Sequence, residues 1–151
     1  MKKRKFFLGI VVAIILAAAY GFYQYNRRIP AVTQMEPDIK ITADSLLSAF
    51  SNDEEKAANK FGEPQLVLQV SGRLKRLETI SGGSSVFVLG DDSASSSVRC
   101  MIDTTCQLDK KEWQPGAYYE VKGYFNGYKP DITGLLGADI EMSRCIPLKN
   151  K

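Results

Sequence analysis

Between residues 65 and 75 the chain reads Gln65-Leu66-Val67-Leu68-Gln69-Val70-Ser71-Gly72-Arg73-Leu74-Lys75. Leu66, Leu68, Val70 and Leu74 alternate with Gln69, Ser71, Arg73 and Lys75, the period of two that marks a strand with one buried face. Gly72 falls on the inward face, where glycine marks a bend or bulge. A bent first strand over about 65–78 follows. The turn Ser81-Gly82-Gly83-Ser84 separates it from a short apolar strand, Val86 to Leu89. A polar loop, Gly90 to Ser96, leads to a third strand from Ser97 to Asp103 with Val98, Cys100 and Ile102 on one face. Residues 104–114 lose the alternation and accommodate a short helix. After the Pro115-Gly116 turn, Ala117 to Phe125 forms a fourth strand, with Tyr118, Glu120, Lys122 and Tyr124 on its outward face. A Gly-rich connection leads to a fifth strand over about 138–147. Cys145 is out of phase with Ile140 and Met142, so a bulge near Ser143-Arg144 is needed if it points inward.

Upstream of these strands the period is helical. Leu46, Leu47, Phe50, Ala57 and Phe61 recur at helix spacing. Thr42 suits the N-cap, and Gly62 with Pro64 supplies the stop. The helix covers 42–61, with a break near Ser51-Asn52. Three strands, a short helix and two strands is the element order of a five-stranded OB barrel. The fold class is therefore mainly β: an OB barrel led by an α-helix, occupying residues 41–151. Leu68, Val70, Val86 or Val88, Val121 and Ile140 are expected to line its interior.

The N-terminus is of another kind. Lys2, Lys3, Arg4 and Lys5 precede an uncharged apolar run from Phe6 to Tyr23. As a helix it spans roughly 27 Å, close to the roughly 30 Å hydrocarbon core of a bilayer. Tyr20, Phe22, Tyr23 and Tyr25 cluster where aromatic residues anchor at the interface. Residues 1–25 therefore read as a transmembrane anchor, with a cleaved signal peptide ending near Ala17-Ala18-Ala19 as the competing reading. Both readings export the body. The expected topology is a single membrane pass, with the N-terminus cytoplasmic and the C-terminal domain on the exported side. Residues 26–40, with Pro30 and Pro37 and no period, read as a linker. No Cys precedes Cys100, which excludes lipid attachment at an N-terminal Cys.

Six of the 20 bases and none of the 17 acids lie in residues 1–30, so residues 31–151 carry a net charge of −3. The body has no overall pull toward phosphates. The chain has no His, which removes Ser-His-Asp triads, Cys-His pairs and His-bound metals. The three thiols, Cys100, Cys106 and Cys145, include no CxxC and, without His, argue against a zinc site. No acidic pair has the spacing of a general acid and base, and no phosphate-binding glycine motif occurs. The chain is expected to be no enzyme and to use no metal or cofactor. In an OB barrel the third and fifth strands adjoin, so Cys100 and Cys145 are the candidate disulfide in an exported body. Arg73, Lys75, Arg99, Tyr118 and Tyr124 form the candidate ligand face, since aromatic platforms beside bases suit single-stranded nucleic acid.

The block Ile41-Thr42-Ala43-Asp44, with Leu46-Leu47, Phe50 and Asp53-Glu54-Glu55-Lys56-Ala57-Ala58-Asn59-Lys60, leads into the strand ending Val70-Ser71-Gly72. With Val98-Arg99-Cys100, Val121-Lys122-Gly123 and Ser143-Arg144-Cys145-Ile146, it resembles the bacterial OB-fold lipoproteins also described as anticodon-binding-like, or tRNA_anti-like, domains. The resemblance covers about residues 40–148 and implies an OB barrel on the outer side of a bacterial membrane. Two departures stand out: the lipoprotein Cys is missing, and the segment Asn126–Gly137 is longer than the usual connection and could form a ligand surface. The combined reading is a membrane-anchored, extracytoplasmic, non-catalytic binding module, which with the resemblance implies a single pass of a bacterial inner membrane and a periplasmic C-terminal domain. Its partners are the membrane, through residues 6–23, and a protein or envelope component, with nucleic acid disfavoured by charge and export. The alternative is a module binding single-stranded nucleic acid in the manner of a tRNA anticodon domain.

Overall fold

The computed structural model describes residues 15–22, 32–80, 83–106 and 108–148. The chain divides into two compact units, residues 1–30 and residues 31–151. In the first, residues 15–22 are helical, with Ile15, Leu16 and Phe22 exposed. Most of the apolar run Phe6–Tyr23 lies outside the described residues. Among the described residues no helix is long and apolar enough to cross a membrane.

The second unit is mainly β. Its strands are β1 (Ile39–Thr42), β2 (Val67–Thr79), β3 (Ser85–Leu89), β4 (Ser97–Ile102), β5 (Tyr118–Lys129) and β6 (Asp139–Leu148). Their order is β1-β2-β3-β4-β6-β5, and β2 also pairs with β5, which closes a five-stranded barrel. The β4–β6 pair is parallel; the other barrel pairs are antiparallel. This is the OB arrangement, and β2 serves both halves of it. Its first part, Val67 to Arg73, pairs with β5, and its last part, from Leu74, pairs with β3. The strand changes partner at an irregularity between Leu74 and Arg76. Two residues earlier stands Gly72, where a Cβ would lie 3.0 Å from that of Ala43. The glycine lets the leading helix seat on the bend.

That helix is two helices, α1 (Ala43–Asn52) and α2 (Glu54–Phe61). Thr42 caps α1 by accepting from the Ser45 N–H at 3.2 Å. Asp53 makes the break: its extended backbone donates to the Ala49 carbonyl, while its carboxylate accepts from the Lys56 N–H at 3.0 Å. One residue thus ends α1 and starts α2. The buried faces of both, Leu46, Leu47, Phe50, Ala57 and Phe61, close one end of the barrel. There Phe50 stacks at 5.0 Å on both Phe125 and Tyr128.

Three expectations are corrected. Residues 32–40 are not an irregular linker. Val32–Gln34 is a 3-10 turn with Val32 buried, and Ile39–Thr42 adds to β2 as a parallel sixth strand, with Asp38 capping the Val67 N–H at 2.8 Å. The helix over 42–61 begins at Ala43, because Thr42 remains in the strand. The interior face of β3 is Phe87 and Leu89, not Val86 or Val88: opposite Leu77 and Leu74, these two join the core cluster. Leu68, Val70, Val121 and Ile140 line the interior as expected. So do Met142 and Cys145, because β6 carries a bulge. Lys122 and Tyr124 oppose Ile146 and Ser143, and Arg144 takes a positive φ of 50°. The bulge restores the inward phase at Cys145. The short helix in 104–114 is the 3-10 turn Lys110–Glu112, capped by Asp109.

Candidate functional site

The register that turns Phe87 and Leu89 inward sends Val86 and Val88 outward, yet they are only 3% and 0% exposed. Long side chains cover them. Val88 stands between Arg76 and Arg99, and Val86 between Glu78 and Met101. Glu78 bridges the two arginines: one carboxylate oxygen accepts from Arg76 Nε and the other from Arg99 Nη2, each at 2.6 Å. The two guanidiniums, Arg76 first, hold the Glu78 carboxyl below the usual range against the opposing effect of burial. Beyond this bridge a groove of about 300 Å³ opens on the β3–β4–β6 surface. Ile80, Val86 and Met101 supply its apolar lining, and Arg99, Asn126, Glu141 and Ser143 its polar rim. Ile80 and Met101 are 42% and 47% exposed. On the far side Lys129 pairs with Glu141 at 2.5 Å.

The five residues expected to form one ligand face are divided. Arg73 and Tyr118 are register partners on the β2–β5 surface, with Tyr118 Oη donating to Ser71 Oγ at 3.3 Å. Tyr124 lies farther along the same surface, where Met35 covers it: its hydroxyl donates to Met35 Sδ at 3.2 Å, and neighbouring Lys122 donates to the Met35 carbonyl at 3.0 Å. Lys75 clamps the β3–β4 loop by donating to the carbonyls of Ala94 (2.5 Å) and Ser96 (3.4 Å). Arg99 stands two strands away, in the groove just described. Alternation on β2 and β4 located Arg73 and Arg99 on outward faces. Val86 and Met101 were missed as surface residues, because an apolar residue on a short strand gives no sign that it faces out; Glu78, near the end of β2, and Ile80, just beyond it, gave no sign of the partners that β3 and β4 bring beside them.

All three cysteines are free thiols in the structure. Cys100 and Cys145 are nonetheless neighbours in the core. Burial, then hydrogen bonding to Cys100, pushes the Cys145 thiol well above its ordinary value. Cys106 lies apart and half-buried, its thiol pushed up by burial and by Asp103. Among the described residues no three Cys, Asp or Glu side chains converge to hold a metal. Trp113 packs against Phe87 and Tyr119 at 5.1 and 5.0 Å. Its indole N–H is buried without a partner among the described residues.

A family model matches residues 1–138, most of the chain. The chain belongs to the tRNA_anti-like family. For this tRNA_anti-like chain, comparison with curated proteins finds no match. Among solved structures it is similar to a lipoprotein from Klebsiella pneumoniae subsp. pneumoniae MGH 78578 that is proposed to bind nucleic acid. That similarity has a TM-score of 0.52 at 15% identity, over 79% of this chain and 96% of the other. It is also similar, with a TM-score of 0.36 at 16% identity, to the S. pombe Stn1–Ten1 complex, over 56% of this chain and 59% of that one. A further match is the asparaginyl-tRNA synthetase of Entamoeba histolytica, with a TM-score of 0.37 at 14% identity, over 58% of this chain and 22% of the enzyme. The Klebsiella protein shares the fold.

Proposed function

We propose that the protein is a membrane-tethered, extracytoplasmic, non-catalytic binding module whose ligand lies across the β3–β4–β6 groove. The observation that carries this reading is the groove itself: an apolar floor whose neighbouring cations are already engaged by Glu78 and Glu141. The face of the second and third barrel strands is where OB folds take oligonucleotides and oligosaccharides. A groove with neutralised cations favours an uncharged or weakly charged chain, from a protein or an envelope polymer, over a polyphosphate backbone. The basic N-terminus and the apolar run to Tyr23 support the tether and bacterial inner-membrane placement, with the body exported. In that compartment the neighbouring Cys100 and Cys145 would join as a disulfide.

Binding of single-stranded nucleic acid is the second reading. The family match and the exposed Arg73 beside Tyr118, a base next to an aromatic ring, favour it. Titrating the full chain in detergent with a fluorescent single-stranded oligonucleotide over a range of salt separates the two. The groove reading expects weak binding with a shallow salt slope, and Glu78→Gln, which releases two guanidiniums, is expected to strengthen it. Tight binding that falls steeply with salt in the unaltered protein would transfer the assignment to nucleic acid. A photo-crosslinking residue at Met101, used in the native envelope, then reports which class of envelope molecule occupies the groove.

A further inference from the structure

The connection between β5 and β6 sends three large aliphatic side chains into solvent. Ile132, Leu135 and Leu136 are 92%, 82% and 79% exposed. One exposed leucine is ordinary; three at the apex of one short loop mark a contact surface. No residue from 132 to 138 is charged. The loop is also a built frame. One oxygen of the Asp131 carboxylate accepts from the Thr133 N–H and hydroxyl, each at 3.1 Å, and the other accepts from the Gly137 N–H at 2.9 Å. Gly134 and Gly137 take positive φ values of 67° and 79°. A Cβ at Gly137 would fall 2.3 Å from the Ser95 carbonyl carbon, so this end of the loop is wedged against the β3–β4 connection. The charge of Asp131 is thus turned back into the loop, and the apolar side chains are held outward at the apex.

A protruding, uncharged, aliphatic apex suits insertion into a soft apolar phase, and the same chain carries a segment of bilayer length. Only residues 24–31 separate the end of the apolar run at Tyr23 from Val32, which is buried on the body. Extended, those residues reach at most about 29 Å. A bilayer holding the run keeps the body at its surface, where the high effective concentration lets a small apolar contact suffice.

We propose that residues 131–137 form a membrane-contact loop, with Ile132, Leu135 and Leu136 entering the interfacial region of the bilayer that holds the N-terminal segment. The proposal rests on the tethered reading given above. It also orients the body: β5 runs from Tyr118 to Lys129, so the Arg73–Tyr118 end points away from the lipid when the loop end is seated.

The test reconstitutes the full chain, with Leu135→Trp, into phosphatidylcholine vesicles with and without bromine on the acyl chains. The added emission is expected to be blue-shifted and to lose at least half its intensity in the brominated vesicles. Emission from the buried Trp113 in the unaltered chain, and from Tyr118→Trp at the opposite end of β5, is expected to stay unquenched. A chain that floats with the vesicles while Leu135→Trp remains unquenched overturns the loop contact and leaves the tether standing. A chain that neither floats nor is quenched overturns both. A blue shift without quenching, growing with protein concentration, overturns lipid in favour of a second copy of the chain.

Discussion

Replacing Gly123 by alanine sets a methyl group where the structure keeps a sulfur atom. Gly123 lies inward on β5, opposite Leu68, and a Cβ there would stand 2.6 Å from Cys145 Sγ, 3.0 Å from the Ser143 carbonyl oxygen and 3.3 Å from Cys145 Cα. The thiol is there because the β6 bulge turns Cys145 into the barrel. Overpacking of this kind costs about 1–3 kcal/mol. Restricting the unfolded chain by replacing glycine returns about 0.4–1 kcal/mol, so Gly123→Ala is expected to destabilise by about 1–2 kcal/mol. Cys145→Ala alone removes a buried sulfur and leaves a small void, also about 1–2 kcal/mol. In the double variant the new methyl occupies part of the vacated space. The two costs should therefore fall short of additivity by about 1 kcal/mol. The Ser143 carbonyl remains close, so cancellation is partial. Urea unfolding under reducing conditions, which keep Cys145 a thiol, followed by emission of the single tryptophan, Trp113, measures all four proteins. Its packing against Phe87 and Tyr119 makes it a reporter of the folded barrel. Additivity within about 0.3–0.5 kcal/mol would refute the placement of Cys145 over Gly123, and with it the bulge.

Phe50→Ala removes the ring that joins α1 to Phe61, Phe125 and Tyr128. The expected loss is about 3–5 kcal/mol in the same urea assay; a loss below about 1 kcal/mol would mean that the helices do not cap the barrel. In acid, Glu78, Asp91, Asp103 and Asp131 act together, since hydrogen bonds lower all four carboxyls, to Arg76 for Glu78, Ser93 for Asp91, Thr105 for Asp103 and Gly137 for Asp131. Their contribution is complete above the unfolded values near 4 and is lost as pH falls through the lower folded values. The urea midpoint is therefore expected to be level from neutral pH to about pH 5 and to drop below about pH 4, and a level midpoint down to about pH 2 would contradict the assignment. In reduced protein Cys145 acts on the alkaline side, because its folded pKa is raised: stability is lost as pH climbs above the unfolded thiol value of about 8.5. An alkaline limb that persists unchanged in Cys145→Ala would exclude it. In reduced protein an alkylating reagent is expected to reach half-buried Cys106 before Cys100 and Cys145, as mass spectrometry of a time course would show.

Much of the barrel was legible because its signals are local. Alternation on β2 and β5, the caps at Thr42 and Gly62 and the phase slip before Cys145 each depend on residues a few positions apart. β3 was different. All five residues from Ser85 to Leu89 are buried, so no alternation distinguishes its faces, and the partner-strand register beyond the Leu74–Arg76 irregularity decides which side lines the core. β1 has four residues and, among the described residues, pairs only with β2, so its existence depends on an edge that is formed elsewhere in the chain.

The candidate site follows the same division. Residue types and their order determined, from the sequence alone, a mainly β body of OB element order, a basic and apolar N-terminal segment, and a surface without histidine chemistry. Tertiary structure decided which cations are engaged. Lys75 and Lys122 read as exposed charges on outward positions, but their acceptors are the carbonyls of Ala94, Ser96 and Met35, and those of Ala94 and Met35 lie 19 and 87 residues away along the chain. Periodicity reports which side of a strand a residue occupies. It carries no information about what a distant segment brings to that side, and the charge available to a ligand depends on that second quantity.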